Sequence, residues 1–255
     1  MKLASYNIRK AIGLDRRRKP GRIIDVINAL DADVVVLQEA DKRLGARPTA
    51  LPRTMLEAHS DFTPAPVAGN DVSLGFHGNA ILVRKGLNIT NARTIPLPGF
   101  EPRGAVAVEI ANRINIAGVH LGLMRRHRRS QLAALLAALK DSNLPTAILG
   151  DFNEWSPDSG LEALQGHYAV ISPGHSYHAA RPLAALDRVA LSPQLVLRHA
   201  GVSETALARI ASDHLPIWAE LDLPAQESAH PLIALDTPGA DSPHAANLPV
   251  APPSR

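Results

Sequence analysis

Apolar residues recur along this chain with two spacings, one typical of strands and one typical of helices. Residues 2–8 alternate in polarity, whereas 34–37 and 146–149 are unbroken apolar or β-branched runs, the composition of strands buried on both faces. Asn112 fits the turn of a hairpin. The pattern predicts further strands near Phe62 and over 78–83, 87–97, 104–110, 113–119, 186–191 and 217–223.

Helical spacing predicts helices from Pro20, over 49–59, near Leu161 and over 128–140. Pro20 is suited to a first helical turn, because a proline there loses no hydrogen bond. In the last long helix one apolar stripe is formed by Leu132, Leu135, Leu136 and Leu139.

The predicted elements occupy the first 223 residues and then stop. From 224 to 255 the chain is rich in proline and alanine and has no apolar period, so we expect a disordered tail behind one domain over 1–223. Hydrophobic residues make up 45% of the chain, enough for a sizeable core. We find no internal repeat and no glycine-rich phosphate loop in the sequence.

Composition narrows the chemistry and the compartment. The sequence contains no cysteine, which excludes disulfides, thiolate metal sites and a cysteine nucleophile, and fits a reducing compartment. It shows no signal peptide and no stretch long enough for a transmembrane helix. We therefore expect a cytoplasmic monomer. The net charge of +3 is too small to identify a partner.

Polar side chains stand where the predicted strands end. If these strands share one sheet edge, the side chains converge there, and Asp151 and Asn153, two residues apart in extended chain, point to the same side. Taken alone, that pair also fits an Asx-rich turn. The complete set is Asn7, Glu39, His120, Asp151 and Asn153, joined by Asp187, Asp213 and His214.

This set contains the groups that hydrolysis of a phosphate ester requires. Carboxylates bind a hard divalent cation, histidines transfer protons or stabilise an oxyanion, and asparagines contact phosphate oxygens. No serine or threonine stands out as a nucleophile, so water is the expected attacker. Asp187, embedded in an apolar run, needs a partner, because an isolated buried carboxylate is costly.

Cations cluster at 16–19 and 125–129. Both clusters follow strands that deliver site residues, so we expect them near the same rim. Arginines at a helix N-terminus oppose the macrodipole by about 0.3–1 kcal/mol each, and an anionic ligand is one reason to tolerate them there.

Seven short motifs follow one another along the chain: S-Y-N-I-R (5–9), L-Q-E-A-D (37–41), H-G-N-A-I-L (77–82), V-H-L-G-L (119–123), G-D-F-N-E-W (150–155), L-D-R-V (186–189) and S-D-H-L-P (212–216). In this order they resemble the motifs of the endonuclease/exonuclease/phosphatase superfamily, which includes deoxyribonucleases, abasic-site endonucleases, neutral sphingomyelinases and inositol-polyphosphate phosphatases. The resemblance spans 3–222 and is strongest to small bacterial members, some of them encoded beside cardiolipin synthase genes.

The resemblance implies a four-layer α/β sandwich, with two mixed β-sheets packed face to face and helices outside. It also implies a metal site. Glu39 would bind Mg²⁺, with Mn²⁺ as the alternative, Asn7 would lie beside it, and Asp213 would be a metal or water ligand.

The same resemblance assigns roles in catalysis and substrate binding. Asp151 would align or deprotonate the attacking water, and Asn153 would hold that water or a phosphate oxygen. His214 would contact the scissile phosphate, with Asp187 as its hydrogen-bond partner. His120 would be a second phosphate contact or an acid. Two further candidates for phosphate binding are Arg103 and His77.

We therefore expect a Mg²⁺-dependent hydrolase, a phosphodiesterase that acts on a phospholipid-derived or other small phosphodiester through metal-activated water. The alternatives are a nuclease that cleaves DNA or RNA and a catalytically inactive binding module of the same fold. Aromatic residues are only 4% of the chain and offer few platforms for stacking bases. The stretch 40–76 shows no obvious recognition chemistry. Besides the substrate, the expected partner is an anionic membrane surface or a nucleic acid.

Overall fold

Two six-stranded β-sheets form the body of the protein, whose computed structural model describes residues 1–156 and 159–225. Within this part of the chain the strands are β1 (Lys2–Asn7), β2 (Val34–Gln38), β3 (Phe62–Pro64), β4 (Ala80–Arg84), β5 (Ile89–Pro96), β6 (Gly104–Ile110), β7 (Ile114–His120), β8 (Thr146–Asp151), β9 (Ala169–Ile171), β10 (Asp187–Leu191), β11 (Val196–Val202) and β12 (Ile217–Asp222).

Each sheet is built around one parallel pair of strands. The first sheet has the order β11-β12-β1-β2-β4-β3, with β1 and β2 parallel, and the second has the order β5-β6-β7-β8-β10-β9, with β7 and β8 parallel. The remaining neighbours are antiparallel. The predicted pair of mixed sheets is thus confirmed.

Alternation along the strands divides the apolar side chains between two faces. Val34 and Val36 of β2 pack into a cluster shared with the second sheet, whereas Val35 and Leu37 pack into a cluster on the outer face of the first. Both faces of β2 carry apolar side chains because residues 34–37 are an uninterrupted aliphatic run.

The outer faces of the sheets are covered by helices, which are α1 (Pro20–Ala29), α2 (Arg53–His59), α3 (Arg125–Leu139) and α4 (Ala208–Ala211). Helix α1 packs its apolar stripe against the first sheet, and α3 packs its leucines against the second. These layers confirm the predicted α/β sandwich with helices outside.

The two sheets approach closely at Gly118 of β7. A Cβ at this position would lie 2.6 Å from Val36 Cγ1 of β2 and 3.2 Å from Val106 Cγ2. Because such distances are below van der Waals contact, only glycine fits between these strands without a shift.

Several predicted boundaries differ from the structure. Helix α2 begins at Arg53 rather than 49, because Thr49 Oγ1 accepts a hydrogen bond from Leu51 N in a turn before Pro52. Helix α3 begins at Arg125 rather than 128. Strands β9 and β11 were not predicted, since both lie at sheet edges and lack a continuous apolar run.

Residues Met1–Pro224 form one compact unit. The predicted tail over 224–255 lies, apart from its first two residues, outside the described residues, so its disorder stays a prediction. Among the residues described, no helix has the length and apolar character needed to cross a membrane.

Candidate active site

Topology brings the predicted site residues to one edge of the paired sheets. Strands β1, β2, β7 and β8 deliver polar residues at their carboxyl ends, and the antiparallel neighbours β10 and β12 begin at the same edge. In the second sheet Asp151 is paired with both His120 and Asp187. A cleft of about 330 Å³ opens there, lined among others by Asn7, Glu39, His120, Asp151, Asn153, Asp213 and His214.

Asp151 lies at the centre of the cleft floor. Its Oδ2 is 3.1 Å from Asn7 Nδ2, 3.4 Å from His120 Nε2 and 3.7 Å from His214 Nε2. Its Oδ1 accepts a hydrogen bond from Asn153 N at 2.9 Å. Burial raises the pKa of the Asp151 carboxyl to about 6, although the nearby His214 acts in the opposite direction. The group is thus a carboxylate at neutral pH with the pKa of a usable base.

The ring of His214 is held by the buried Asp187, which is itself held by the buried Ser176. Its Nδ1 lies 2.8 Å from Asp187 Oδ2, and Ser176 Oγ donates to the same oxygen at 2.5 Å. Burial alone would lower the pKa of His214, but the carboxylates of Asp187 and Asp151 outweigh it and raise that pKa to about 10. At neutral pH the imidazole therefore carries a positive charge. The contact with Asp187 also provides the partner that this buried acid requires.

The pKa of His120 is shifted in the opposite direction from that of His214. Burial holds its pKa well below the ordinary value, and the positive charges of Arg103 and His214 act in the same direction. One Asp151 oxygen thus faces a neutral imidazole and a charged one, which suits them to different tasks.

The acids of the first sheet have cationic partners from a single turn. Glu39 is ion-paired with Lys10, and Asp213 Oδ2 lies 3.3 Å from Arg9 Nε. Arg9, Lys10 and Glu39 all have positive φ, between 46° and 57°. Such left-handed backbone costs energy in residues other than glycine and often marks functional sites.

This arrangement fits a hard divalent cation held by few protein ligands. Among the described residues no three His, Asp or Glu side chains group as a metal site. Mg²⁺ commonly keeps several waters and uses only one or two carboxylates. Glu39 presents a part-exposed carboxylate to the cleft, and the Lys10 ammonium beside it already occupies a position suited to a cation. Asn7 supports the site less directly, since its Oδ1 accepts from Arg9 N at 3.1 Å.

Asn153 does not adopt the predicted extended conformation. Its φ is +50°, and its Nδ2 donates to Leu121 O at 2.9 Å, which ties the loop after β8 to the loop after β7. Sequence spacing cannot reveal this, because the same-side argument holds only while the strand continues. Asn153 nevertheless lines the cleft beside Asp151.

Arg103 and His77 also line the cleft, each with a neighbour. Arg103 Nη2 bonds Glu101 Oε2 at 2.9 Å, and Arg47 Nη1 lies 3.1 Å from His77 Nδ1. Burial, and secondarily Arg47, lowers the pKa of His77.

The predicted cation clusters are not the cations of the cleft. Within the part of the chain that the structure describes, neither 16–19 nor 125–129 lines it, and the cations that do are Lys10, Lys42, Arg43, Arg47 and Arg103. Residues 42–47 are held in place by the buried Asp41, whose carboxylate accepts from Leu74 N at 2.6 Å and Gly75 N at 3.2 Å. The expectation that 40–76 lacks recognition chemistry was therefore wrong.

The contacts of Arg128 explain one of the arginines that crowd the N-terminal end of α3. The side chain is buried, bonds Glu154 Oε2 at 2.6 Å and donates to Leu123 O at 2.6 Å. Its partner is thus an acid of the chain itself, and an anionic ligand is not needed to explain it. The pair braces the loops that follow β7 and β8.

Two aromatic side chains border the cleft and were not predicted. The Tyr177 ring lies 4.9 Å from His214 between centroids, and the Trp155 ring lies 5.9 Å from Tyr177. Tyr177, like Ser176, lies in a segment without an apolar period, so its place beside His214 follows only from the fold.

Comparison with known proteins identifies the class. Residues 4–214 match the model of the Endonuclease/Exonuclease/phosphatase family, and the chain belongs to this family of hydrolases that act on phosphate esters or nucleic acids. Members generally depend on a divalent metal ion.

Individual relatives show how far the similarity extends. The uncharacterised protein YbhP of Escherichia coli K12 is 28% identical, over 87% of this chain and 96% of its own. A functionally unknown protein of Enterococcus faecalis has a TM-score of 0.72 at 20% identity, covering 88% of this chain and all of that one. The mannosyl-6-phosphatase Bt3783 of Bacteroides thetaiotaomicron has a TM-score of 0.69 at 19% identity, covering 87% and 99%. The Enterococcus faecalis and Bacteroides thetaiotaomicron structures therefore share the fold of this chain.

Proposed function

We propose that this protein is a Mg²⁺-dependent phosphodiesterase that hydrolyses a phospholipid-derived or other small phosphodiester by attack of water. The observation that carries the proposal is the position of Asp151 between two imidazoles, His120 at 3.4 Å and His214 at 3.7 Å, on the floor of a polar cleft. A base, a neutral imidazole and a charged imidazole within one cleft are the groups that such a displacement uses.

Asp151 is the base in this mechanism. Each carboxylate oxygen accepts one hydrogen bond, Oδ1 from Asn153 N and Oδ2 from Asn7 Nδ2. Oδ2 is the oxygen that faces both imidazoles, so its remaining lone pair orients a water and accepts its proton. Ser176 is unsuited to be a covalent nucleophile, because it is fully buried and its hydroxyl donates to Asp187. This supports water as the attacking group.

The histidines act on the phosphoryl group. The charged His214 donates from Nε2 to a phosphoryl oxygen and stabilises negative charge as it develops, while Asp187 fixes the ring. The neutral His120 and the Asn153 amide provide further hydrogen bonds to phosphate oxygens, and Arg103 adds charge at the cleft wall.

A divalent cation fits beside Glu39, with Asn7 next to it. When bound, it would supply positive charge that polarises a phosphoryl oxygen. Lys10 and Arg9 neutralise the acids of this region in its absence.

The cleft supports a small anionic substrate. Five lysine and arginine side chains and the charged His214 line it, against the four carboxylates of Glu39, Asp41, Asp151 and Asp213. Its volume of about 330 Å³ suits a headgroup-sized ester. A protein that grips duplex DNA instead uses an extended surface, of roughly 1,000–2,500 Å².

The test compares four substrates in Mg²⁺ or Mn²⁺: bis(p-nitrophenyl) phosphate, p-nitrophenyl phosphate, a glycerophosphodiester and supercoiled plasmid. We expect the diesters to be cleaved faster than the monoester, and turnover to fall to background in excess chelator and to return when Mg²⁺ is restored. Full turnover in chelator would contradict the metal requirement. Plasmid nicking without diester cleavage would favour a nuclease, and no cleavage at all would favour an inactive binding module.

A further inference from the structure

The large apolar side chains at the surface are unevenly placed. Within the described part of the chain eleven are exposed, by 36% to 88%. The six most exposed, from 52% to 88%, form what we call the apolar rim: Leu44, Phe100, Leu123, Met124, Trp155 and Leu183. The other five reach at most 51%.

The apolar rim lies on the loops that build the cleft. Leu123 and Trp155 line the cleft, and Leu44 directly follows Arg43, which also lines it. The loop that carries Phe100 is joined to the loop after β7, because Leu123 N donates to Glu101 Oε1 at 3.1 Å.

Leu183 belongs to the same border on the side of Tyr177. Its N donates to Tyr177 O at 2.8 Å, and Tyr177 itself lines the cleft. Loops from both sheets therefore each direct an apolar side chain to solvent around one opening.

Exposed cations are interleaved with the apolar rim. Arg43 precedes Leu44, Arg125 and Arg126 follow Met124, and Arg181 lies two residues before Leu183, all of them exposed. Arg125 is balanced by Glu162 at 2.6 Å, and the nearby Glu101 is paired with Arg103 at 2.9 Å. Among the described residues no acid forms an ion pair with Arg43, Arg126 or Arg181, so these three supply the positive charge of the border. The border of the cleft is thus both apolar and positively charged.

We infer that the apolar rim docks the protein on an anionic lipid bilayer, with the cleft facing the headgroups. Exposed apolar side chains flanked by cations gain from burial at the acyl boundary and from attraction to anionic headgroups. The rim surrounds the entrance, so the surface that covers it also supplies what enters the cleft, and a bilayer supplies phosphodiesters. This inference rests on the proposed function for its choice of substrate.

The composition of the rim favours a bilayer over a nucleic acid. Leu44, Leu123, Met124 and Leu183 have no aromatic face on which a base could stack, whereas aliphatic side chains insert readily among acyl chains. Only Phe100 and Trp155 could serve both partners.

Vesicle binding tests the docking independently of catalysis. The full chain is floated with vesicles of phosphatidylcholine alone or with added phosphatidylglycerol. The test variant is Leu44→Ser/Phe100→Ser, which alters the two most exposed side chains, at 84% and 88%, neither of which lines the cleft. The matched control is Leu87→Ser/Val196→Ser. Both control positions lie at the opposite edge of the first sheet, since Leu87 follows β4 and Val196 pairs with Asp222 at the end of β12.

We expect the wild type and the control to bind anionic vesicles, and the rim variant to bind at least about tenfold more weakly. All three should cleave bis(p-nitrophenyl) phosphate at the same kcat/KM. Equal vesicle binding by the rim variant and the control would overturn the inference. So would a rim variant that loses affinity for single-stranded DNA while the wild type ignores vesicles. Rim-dependent vesicle binding without cleavage of any ester would sink the proposed function and leave the docking intact.

Discussion

Two groups of charged residues in the cleft differ in how they are held. The Asp151 cluster (His120, Asp151, Asp187 and His214) is at most 6% exposed, and its members contact one another. In the Glu39 group (Arg9, Lys10, Glu39 and Asp213) the side chains are 23% to 38% exposed, and each acid is paired with a flexible cation.

The difference in exposure means that the Asp151 cluster is fixed in place, whereas the cations in the Glu39 group can be exchanged. Buried hydrogen-bonded charges are costly to disturb, so the Asp151 cluster keeps one arrangement, which in the proposed mechanism is ready for proton transfer before substrate arrives. Part-exposed ion pairs contribute only about 0–1 kcal/mol, so the Glu39 group can exchange its cations at little cost. Four predictions follow, ordered from the largest expected effect to the smallest.

Arg128→Ala should loosen the loops that follow β7 and β8, the strands that end in His120 and Asp151. It leaves the buried Glu154 carboxylate without its cation, a change that typically costs about 3–5 kcal/mol, or roughly 10²–10⁴ in the unfolding equilibrium. The pKa of Glu154 lies below its ordinary value of 4.5 because Ser156 N and Arg128 outweigh burial. The stability it contributes is complete above pH 4.5 and is lost as the pH falls through the folded pKa.

Urea unfolding at neutral pH and at about pH 4 measures this effect. The deficit of Arg128→Ala should be large at neutral pH and should shrink in acid, because a protonated Glu154 no longer needs a cation. Arg129→Ala, one position along α3 and exposed, is the control and should differ little from wild type. A deficit that does not change with pH would show that lost packing, and not charge, is responsible.

His214→Ala and Asp151→Asn should each lower kcat by about 10²-fold or more, with the fold intact, because each removes a proton-transfer group or a charge that stabilises the transition state. Asp187→Asn should act in the same direction through misorientation of His214. Steady-state kinetics and circular dichroism measure both parts. His214→Ala should keep the wild-type affinity for Mn²⁺, because the Glu39 group is untouched. Near-wild-type rates would show that the roles are misassigned.

Ser176→Ala should lower kcat about tenfold and leave KM unchanged, since outer partners of a site typically contribute 10–100-fold. The hydroxyl shares Asp187 Oδ2 with His214 and holds that oxygen in place. Ser176→Thr, which keeps the hydroxyl, should recover most of the loss. Failure of threonine to restore activity would mean that the position serves only packing.

Lys10→Met should strengthen Mn²⁺ binding by no more than about fivefold, because a part-exposed pair of at most about 1 kcal/mol no longer competes for Glu39. Isothermal titration with Mn²⁺ gives the dissociation constant without any substrate. Lys42→Met also removes a cleft cation and serves as the control for net charge. Equal changes in the two variants would show that Lys10 has no special relation to Glu39.

The sequence predicted the Asp151 cluster better than the Glu39 group, for a physical reason. His120 and Asp151 end apolar strands whose direction fixes where their side chains go, and the convergence on one edge follows from pairing alone. The partners of Glu39 and Asp213 depend instead on positive φ at Arg9 and Lys10, which no periodicity encodes.

Long-range contacts account for the other differences. The pair of Arg128 with Glu154 crosses from a helix to a loop, and Ser176 reaches Asp187 through a segment without regular structure. The cations of 42–47 enter the cleft because Asp41 is bonded to backbone more than thirty residues away. Local pattern indicates none of these contacts. The fold class needed only the strands and helices, which are local.

Gly118 sets how closely the two strands that lead to the cleft approach each other. Its strand, β7, delivers His120, and the strand it faces, β2, delivers Glu39. Because Gly118 has no side chain, β7 and β2 pack at a minimal separation. A larger side chain at this position would push the two strands apart. It would thereby move the Glu39 group away from the Asp151 cluster without altering any residue of the cleft. The distance between the Glu39 group and the Asp151 cluster is therefore set in the buried interior between the two sheets, and not by the residues that line the cleft.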